Sequence, residues 1–169
     1  MPQKPARIIP YFPEQRQAVR RILLTNGWEE RYIIGQLEGV ESLAADVHGG
    51  VWLAQMEDTL AGFVSLQFYA WNRLAQIHGL AVDPAFQRQG LAAALVQQAE
   101  DFARQRGARG VYVDTPVTNT GARSFYTSQG YIQDYVMTAY YDDGLDGVTY
   151  LKLFGAAPHT LPNYSNTQS

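Results

Sequence analysis

Cysteine is absent from the 169-residue chain, which excludes disulfides, thiolate metal sites and cysteine nucleophiles. Lysine is scarce as well, because eleven of the thirteen basic residues are arginine and the two lysines are Lys4 and Lys152. No apolar run reaches 18 residues and the start is not signal-like, so we expect a soluble, cytoplasmic protein without membrane association. The histidines, His48, His78 and His159, lack metal-ligand spacing, and we expect no metal.

The composition predicts one globular domain. Hydrophobic residues make up 46% of the chain and charged residues 17%, which is enough apolar material for a sizeable core. The formal net charge of −3 gives no reason to expect nucleic acid as a partner. A chain of this length is most simply a single domain, which we assign to residues 1–155. The polar, proline-containing segment 156–169 is expected to be a disordered tail.

Alternating apolar residues and turn residues predict a mixed α/β fold of the α+β type, with helices flanking a single, partly antiparallel sheet. The predicted strands cover residues 6–11, 49–58, 60–71, 74–82, 109–117, 132–141 and 148–154, and the predicted helices cover 13–25, 29–47, 90–107 and 118–130. The strand–helix–strand unit within 74–117 implies a parallel pair with a right-handed crossover. Pro116 has no amide hydrogen to donate, so we expect pairing to stop there on one side.

The start of the third predicted helix, "QRQGLA" at residues 87–92, has unusually small side chains. A helix N-terminus carries unpaired N–H groups and the positive end of the helix dipole. Small residues there let a ligand reach the backbone, and the combination favours an anion such as phosphate. The alternative is that Gly90 and Ala92 only allow close packing of the helix on the sheet. The segment has neither the Gly-Lys-Ser/Thr ending of a Walker A loop nor a dinucleotide-binding glycine pattern.

Two motifs then carry a family resemblance. The run "GLAVDPAFQRQGLAAALV" resembles the acetyl-CoA-binding motif of the GCN5-related N-acetyltransferases, in which a strand ending in Val-x-Pro precedes Gln/Arg-x-x-Gly-x-Gly/Ala. The run "NTGARSFYTSQGY", residues 119–131, resembles the same family's second motif, Asn-x-x-Ala-x-x-x-Tyr-x-x-x-Gly-Phe/Tyr. The resemblance covers roughly residues 52–154. It extends to the N-terminal alanine acetyltransferases of ribosomal proteins, which are the closest in motif.

The resemblance implies that acetyl-CoA is the co-substrate. Backbone amides of residues 88–93 would hold the pyrophosphate, the strand edge at residues 80–82 would pair with pantetheine, and the parallel strands would splay apart there. A backbone N–H near Ala81 and Val82 would stabilise the oxyanion. The implied coenzyme-binding residues are Leu80, Ala81, Val82, Gln87, Arg88, Gln89, Gly90, Leu91, Ala92, Ala93, Asn119 and Tyr126.

The resemblance also suggests catalytic roles. Tyr126 occupies the tyrosine of the second motif and would be the general acid, the alternative being a tyrosine that only packs. Asp114 lies five residues before Asn119, where the ribosomal-protein enzymes have a glutamate base. Its apolar neighbours would partly desolvate the carboxylate, and the shorter Asp could act through a water molecule. The alternatives are that Asp114 caps a turn, or that His78 is the base.

The sequence leaves more than one class of acceptor open. "AYYDDGLDGVTYLKL" resembles a run of the N-terminal acetyltransferases in which tyrosines hold the acceptor, which would make Tyr140 and Tyr141 substrate-binding residues. The alternative is a tyrosine-rich core hairpin, and Gly147 departs from the family's alanine. We therefore predict an N-acetyltransferase for a primary amine, either a protein N-terminus or a small molecule such as a polyamine, amino acid or amino sugar. The remaining alternative is a non-catalytic acyl-CoA-binding module. A monomer and a homodimer are both compatible with the sequence.

Overall fold

The computed structural model describes residues 5–155, so the predicted tail at 156–169 lies outside the described residues. That part of the chain forms seven strands and four α-helices. In chain order they are β1 (Arg7–Pro10), α1 (Arg16–Thr25), α2 (Glu30–Ala45), β2 (Gly49–Met56), β3 (Thr59–Tyr69), β4 (Leu74–Val82), α3 (Leu91–Gln105), β5 (Gly110–Pro116), α4 (Thr120–Ser128), β6 (Ile132–Met137) and β7 (Gly147–Leu153). No helix among residues 5–155 is both long and apolar enough to cross a membrane.

The strands form one sheet in the order β1-β2-β3-β4-β5-β7-β6. Only β4 and β5 run parallel, and α3 makes the crossover between them. All other neighbours are antiparallel. The mixed, mostly antiparallel sheet with flanking helices confirms the predicted fold class.

A break in strand pairing lies at the centre of this sheet. The parallel register of β4 with β5 extends only from Leu74 to Ile77. Directly afterwards, the register of β4 against β3 shifts, and His78 is the extra residue of the resulting β-bulge. A bulge bends its strand and increases the local twist. The second half of β4 therefore separates from β5, and a gap opens between the two strands.

The predicted role of Pro116 in ending the parallel pairing is wrong. The pairing already ends opposite Val113, three residues earlier. Pro116 itself still lies opposite Gly147 in the antiparallel pair of β5 with β7. The bulge in β4, rather than a missing amide hydrogen in β5, accounts for the separation.

The helices cover both faces of the sheet. Neighbouring strand residues such as Phe63 and Val64 point to opposite faces, and they belong to different core clusters. The cluster with Phe63 contains the apolar stripes of α1 and α2, whereas the cluster with Val64 contains α3 and Tyr126 of α4. The site described below lies between these layers, at the gap between β4 and β5.

A buried ion pair fastens the C-terminal elements to α3. Glu100 of α3 is only 2% exposed. Its carboxylate accepts hydrogen bonds from Lys152 Nζ, at 2.9 and 3.2 Å, and from the Tyr131 hydroxyl, at 3.1 Å. Lys152 Nζ also donates to the carbonyl of Gln129 at 3.0 Å. A buried carboxylate is tolerated only when it is paired in this way, so the cluster fixes β7 and the end of α4 relative to α3.

Two predicted boundaries need correction. The predicted strand 132–141 ends at Met137, so Tyr140 and Tyr141 belong to the loop between β6 and β7. The predicted helix 118–130 is Thr120–Ser128, because Asn119 is its N-cap and accepts a hydrogen bond from the Ala122 amide at 3.1 Å. Both differences arise at element ends, where local side-chain hydrogen bonds compete with regular structure.

Candidate active site

A cavity of about 640 Å³ occupies the gap where β4 and β5 separate. Its walls come from β4, β5, α2 with the connection before it, α4, and the loop between β6 and β7. The lining residues on the strands and on α4 are Gln76, Ile77, His78, Gly79, Leu80, Val113, Asp114, Thr115, Pro116, Asn119, Ala122 and Tyr126, and those on the other elements are Gly27, Trp28, Glu29, Arg31, Tyr32, Gly35, Gln36, Tyr140, Tyr141, Asp143 and Leu145. The predicted catalytic and acceptor residues are thus brought together on one cavity.

Two residues before α3 adopt an unusual backbone conformation. Gly90 has a φ of 81° and Arg88 a φ of 62°, so both residues adopt the left-handed conformation. A Cβ atom placed on Gly90 would meet no heavy atom within 4 Å. Glycine here is therefore explained by its φ angle, and the alternative that it permits close packing finds no support. The N–H groups of the first helical turn, at Leu91, Ala92 and Ala93, have no acceptor within the helix and could hold an anion.

The side chain of Gln87 has a structural role in this arrangement. Its Nε2 donates to the carbonyl of Val82 at 3.1 Å, and Asn26 Nδ2 donates to the same oxygen at 3.0 Å. These bonds tie the end of β4 to the end of α1. The side chain of Gln87, a predicted coenzyme-binding residue, is thus bonded within the protein. In the segment before α3, the backbone is the part suited to a ligand.

The peptide groups of β4 alternate between β3 and the gap. The Asp83 N–H donates to Ala61 of β3 at 2.7 Å. Because successive residues of a strand point their peptide groups to opposite sides, Ala81 also faces β3, whereas Leu80 and Val82 face the gap. Among the three predicted pantetheine-pairing residues, Leu80 can therefore present its backbone N–H and C=O to a ligand and Val82 its N–H, since the Val82 carbonyl already bonds Gln87 and Asn26.

Asp114 lies within β5 and is half-buried. Its carboxylate accepts hydrogen bonds from Thr149 Oγ1, from Gln76 Nε2 at 3.2 Å and from the Tyr140 hydroxyl at 3.4 Å. Thr149 is its direct partner on β7. These hydrogen bonds come from side chains of neighbouring elements and Asp114 lies inside a strand, so the alternative that it caps a turn is not supported.

His78, the alternative base, lines the same cavity. Its Nε2 lies 3.2 Å from the Tyr69 hydroxyl. Partial desolvation lowers the pKa of His78 below its ordinary value, and the charge of Asp114 opposes that shift. The ring is therefore largely neutral near neutral pH and has a lone pair with which to accept a proton. Asp114 and His78 therefore both remain candidate bases.

Tyr126 lines the cavity from α4 and is 4% exposed. Its ring packs against Phe125, Tyr131 and Tyr150, with centroid distances of 5.2, 5.5 and 6.4 Å. This burial raises the pKa of Tyr126 well above its ordinary value, so the hydroxyl keeps its proton throughout the neutral range. A buried tyrosine that remains protonated can act as a proton donor.

Tyr140 and Tyr141 lie on the cavity from the β6–β7 loop. A Cβ atom on Gly147 would come within 2.9 Å of the Tyr140 ring. The glycine that departs from the family pattern is thus what allows Tyr140 to pack against β7 and to reach Asp114. Burial raises the pKa of both tyrosines, so both keep their hydroxyl protons at neutral pH.

Residues that the sequence did not single out hold this loop and the neighbouring bulge in place. Arg31 of α2 pairs with Asp142 of the loop at 2.5 Å and with Glu29 at 3.2 Å. The Tyr32 hydroxyl also donates to Asp142. Gln36 of α2 donates to the carbonyl of His78 at 3.0 Å and so bonds a peptide group of the bulge. Arg31 and Asp142 are 111 positions apart, and no sequence spacing signals their contact.

Comparison with known proteins decides the family. Residues 12–131, more than two thirds of the chain, match the Acetyltransferase (GNAT) family. The chain belongs to this family. The resemblance that the two sequence motifs carry is thereby confirmed.

Individual relatives of different activity are similar to the chain. It is 32% identical over 94 residues to streptothricin acetyltransferase of Streptomyces lavendulae, which covers 56% of this chain and 49% of that protein. It is 33% identical over 67 residues to the ribosomal protein bS18 alanine N-acetyltransferase of Escherichia coli strain K12, covering 40% of this chain and 45% of that protein. The chain thus spans less than half the length of these relatives.

The crystal structure of the E. coli ribosomal-protein-S18-alanine N-acetyltransferase superposes on the chain with a TM-score of 0.73. The match covers 93% of this chain and 99% of that one, at 21% sequence identity. At this identity the likeness is one of fold, and it agrees with the observed sheet and helices.

The start of α3 yields a test with a matched pair of variants. Asn and Asp both tolerate the left-handed conformation of Gly90 and have nearly the same shape, but only Asp adds a negative charge. We expect Gly90→Asp to bind coenzyme A about tenfold or more weakly than Gly90→Asn, because the carboxylate would repel the pyrophosphate. Calorimetric titration of both folded variants measures the difference. Equal affinities of the two variants for coenzyme A would contradict an anion site at the start of α3.

Proposed function

We propose that the chain is an acetyl-CoA-dependent N-acetyltransferase that acetylates a primary amine by direct attack. The observation that carries the proposal is the gap between β4 and β5. It joins two candidate bases, Asp114 and His78, and one protonated candidate acid, Tyr126, in a single cavity. Membership of the Acetyltransferase (GNAT) family supports the same reaction.

Acetyl-CoA supplies an activated acetyl group. Its binding is assigned to backbone groups, with the amides of residues 88–93 for the pyrophosphate and the peptide groups of Leu80 and Val82 for pantetheine. The fit is supported by the open space at Gly90 and by the unpaired edge of β4 after the bulge. An N–H group of Leu80 or Val82 that faces the gap is also suited to stabilise negative charge on the acetyl oxygen.

The acceptor must lose a proton before it attacks, since a protonated amine has no lone pair. Asp114 is the proposed base and would act directly or through one water molecule. Its support is the set of three hydrogen bonds that fix the carboxylate on the cavity wall. His78 remains the alternative, because its lowered pKa leaves a neutral ring in the same cavity.

Tyr126 is the proposed acid. The coenzyme leaves as a thiolate, and a proton donor beside the sulfur stabilises it. The burial that raises the Tyr126 pKa keeps this donor protonated at the pH of the reaction. A non-catalytic acyl-CoA-binding module would need no such donor, and the presence of acid and base candidates in one cavity favours the enzyme.

The proposed acceptor is a free α-amine, on a peptide or on a small amino compound. An α-amino group has a pKa of about 7.7–8.0, so a sizeable fraction is neutral near pH 7.5 and a modest base suffices. The acidic side chains Asp114 and Asp143 of the cavity suit a cationic amine, while Arg31 is already paired with Asp142 and Glu29. The named relatives act on a ribosomal protein and on streptothricin, so a protein N-terminus and a small molecule both remain candidates.

Replacement of the proposed acid gives the first test of the mechanism. Tyr126→Phe is expected to lower kcat by roughly 10²-fold, the low end of general acid catalysis, with little change in acetyl-CoA affinity. Tyr150→Phe is the matched control, because Tyr150 stacks on Tyr126 in the same buried cluster but does not line the cavity. Equal losses of kcat in the two variants would leave Tyr126 as a packing residue.

The pH dependence separates the two candidate bases. Asp114→Asn should remove the enzyme's own rising limb of the pH–rate profile, because an amide cannot take up the proton, while coenzyme binding is retained. A rise in rate caused by deprotonation of the free acceptor amine would be centred at about pH 7.7–8.0 and would persist in this variant. Profiles of kcat/KM for Asp114→Asn and His78→Ala measure this. Loss of the limb in His78→Ala alone would transfer the role of base to His78.

The acceptor preference is tested by competition. One peptide has a free N-terminus and no lysine, and the other has a blocked N-terminus and one lysine. We expect faster thiol release with the free N-terminus, because the lysine ε-amine, with a pKa of about 10.4, is almost wholly protonated at neutral pH. Faster release with the blocked lysine peptide would contradict the preference and would leave Tyr140 and Tyr141 without the assigned role.

A further inference from the structure

Gln76 of β4 has three side-chain hydrogen bonds that the mechanism has not used. Its Oε1 accepts from the Tyr112 hydroxyl at 3.1 Å and from the Tyr69 hydroxyl at 3.3 Å. Its Nε2 donates to Asp114 Oδ2 at 3.2 Å. Tyr69 also contacts His78 Nε2, so one glutamine side chain lies between the two candidate bases.

The contacts fix the orientation of the Gln76 amide. If the amide were reversed, Oε1 would lie 3.2 Å from a carboxylate oxygen of Asp114, and two acceptors would face each other. In the observed orientation, the two tyrosine hydroxyls donate to Oε1 and the amide N–H faces Asp114. Burial raises the pKa of Tyr112 to about 12, so this donor keeps its proton throughout the pH range of an assay.

The hydrogen of the Tyr69 hydroxyl also links Gln76 to His78. The Tyr69 hydroxyl has a single hydrogen and lies between Gln76 Oε1 and His78 Nε2. When that hydrogen goes to Gln76, Nε2 of His78 must be the donor to Tyr69. In the neutral ring the lone pair is then on Nδ1. Gln76 thus influences the tautomer of His78 through Tyr69.

Gln76 also lies in a regularly paired part of β4. It lies directly opposite Tyr112 in the last stretch of parallel pairing, one residue before Ile77, where the pairing ends. The strand is regular at Gln76 and bulged at His78. The glutamine therefore lies on the rigid side of the gap, and its amide reaches the carboxylate that lines it.

We propose that Gln76 is a positioning residue for the acetyl-transfer reaction: its amide orients the carboxylate of Asp114 toward the acceptor amine and, through Tyr69, selects the tautomer of His78. The inference rests on the proposed function and on Asp114 as the base. Gln76 acts through these groups and takes no proton itself. Its replacement should therefore change kcat and the pH dependence of the rate.

Titratable side chains of several elements lie around Asp114 and its neighbouring tyrosines. They come from β3, β4, β5, β6 and the β6–β7 loop, and they are Tyr69, His78, Tyr112, Tyr135, Tyr140 and Tyr141. Burial raises the pKa values of Tyr69, Tyr112, Tyr140 and Tyr141, so these tyrosines stay neutral in an assay up to about pH 9. The rising limb therefore does not come from these tyrosines.

The central variant is Gln76→Met, which keeps the length of the side chain and removes its hydrogen bonds. An N–H donor stabilises a charged carboxylate, so its loss makes Asp114 easier to protonate. We expect kcat to fall about tenfold and the rising limb to move about one pH unit higher. Coenzyme A affinity, measured by calorimetry, should stay within about twofold. Gln76→Glu places a second carboxylate beside Asp114, and the limb should move further in the same direction.

A matched control lies on the neighbouring strand. Gln67 of β3 is the direct cross-strand partner of Gln76, but its Nε2 donates to the Phe68 carbonyl and it does not line the cavity. Gln67→Met should leave kcat and the pH profile unchanged. Should Gln76→Met fail to fold, Tyr112→Phe tests the same network, because it removes one of the two hydroxyls that orient the amide. The limb should then move upward by a smaller amount.

The outcomes separate the positioning role from the proposed function. A folded Gln76→Met that loses rate without any movement of the limb, or that changes neither, overturns the positioning role. If Asp114→Asn abolishes the limb while Gln76→Met leaves it unchanged, only this inference fails. If Asp114→Asn itself retains the limb, the base assignment in the proposed function fails instead.

Discussion

The separation of β4 from β5 is the constraint on which the rest of the site depends. The two strands pair over four residues, from Leu74 to Ile77, and then a single extra residue, His78, bends β4 away. Unpaired peptide groups in a sheet are costly unless another group bonds them. Gln36, Asn26 and Gln87 satisfy some of those carbonyls from outside the sheet, and a bound chain of amides and carbonyls could satisfy others.

The elements around the gap are fixed by contacts that are distant in sequence. The loop with Tyr140 is joined to α2 through Asp142, and α4 is joined to α3 through Glu100. A catalytic arrangement needs its groups held to within fractions of an ångström. These polar contacts explain how side chains from a loop, a short helix and two separating strands can share one cavity.

Local features of the fold could be predicted from the sequence, and non-local ones could not. The start of α3 and the parallel crossover follow from residues close together in the chain. The bulge at His78 could not be predicted, because it depends on the register between β3 and β4. The bonds of Asp114 were equally inaccessible, since Thr149 and Gln76 are brought to it by strand order. Pro116 was misjudged because a local rule was applied to a break caused on another strand.

The bonding of Lys152 has a chemical consequence of its own. Its ammonium group donates to both oxygens of Glu100 and to the Gln129 carbonyl, which occupies all three of its hydrogens. An amine held as a paired cation has no lone pair with which to attack a thioester. Histidines apart, the other eleven basic side chains of residues 5–155 are arginines, whose guanidinium groups stay protonated and are poor nucleophiles. Over residues 5–155, no lysine amine is thus free to be acylated by an activated acyl thioester.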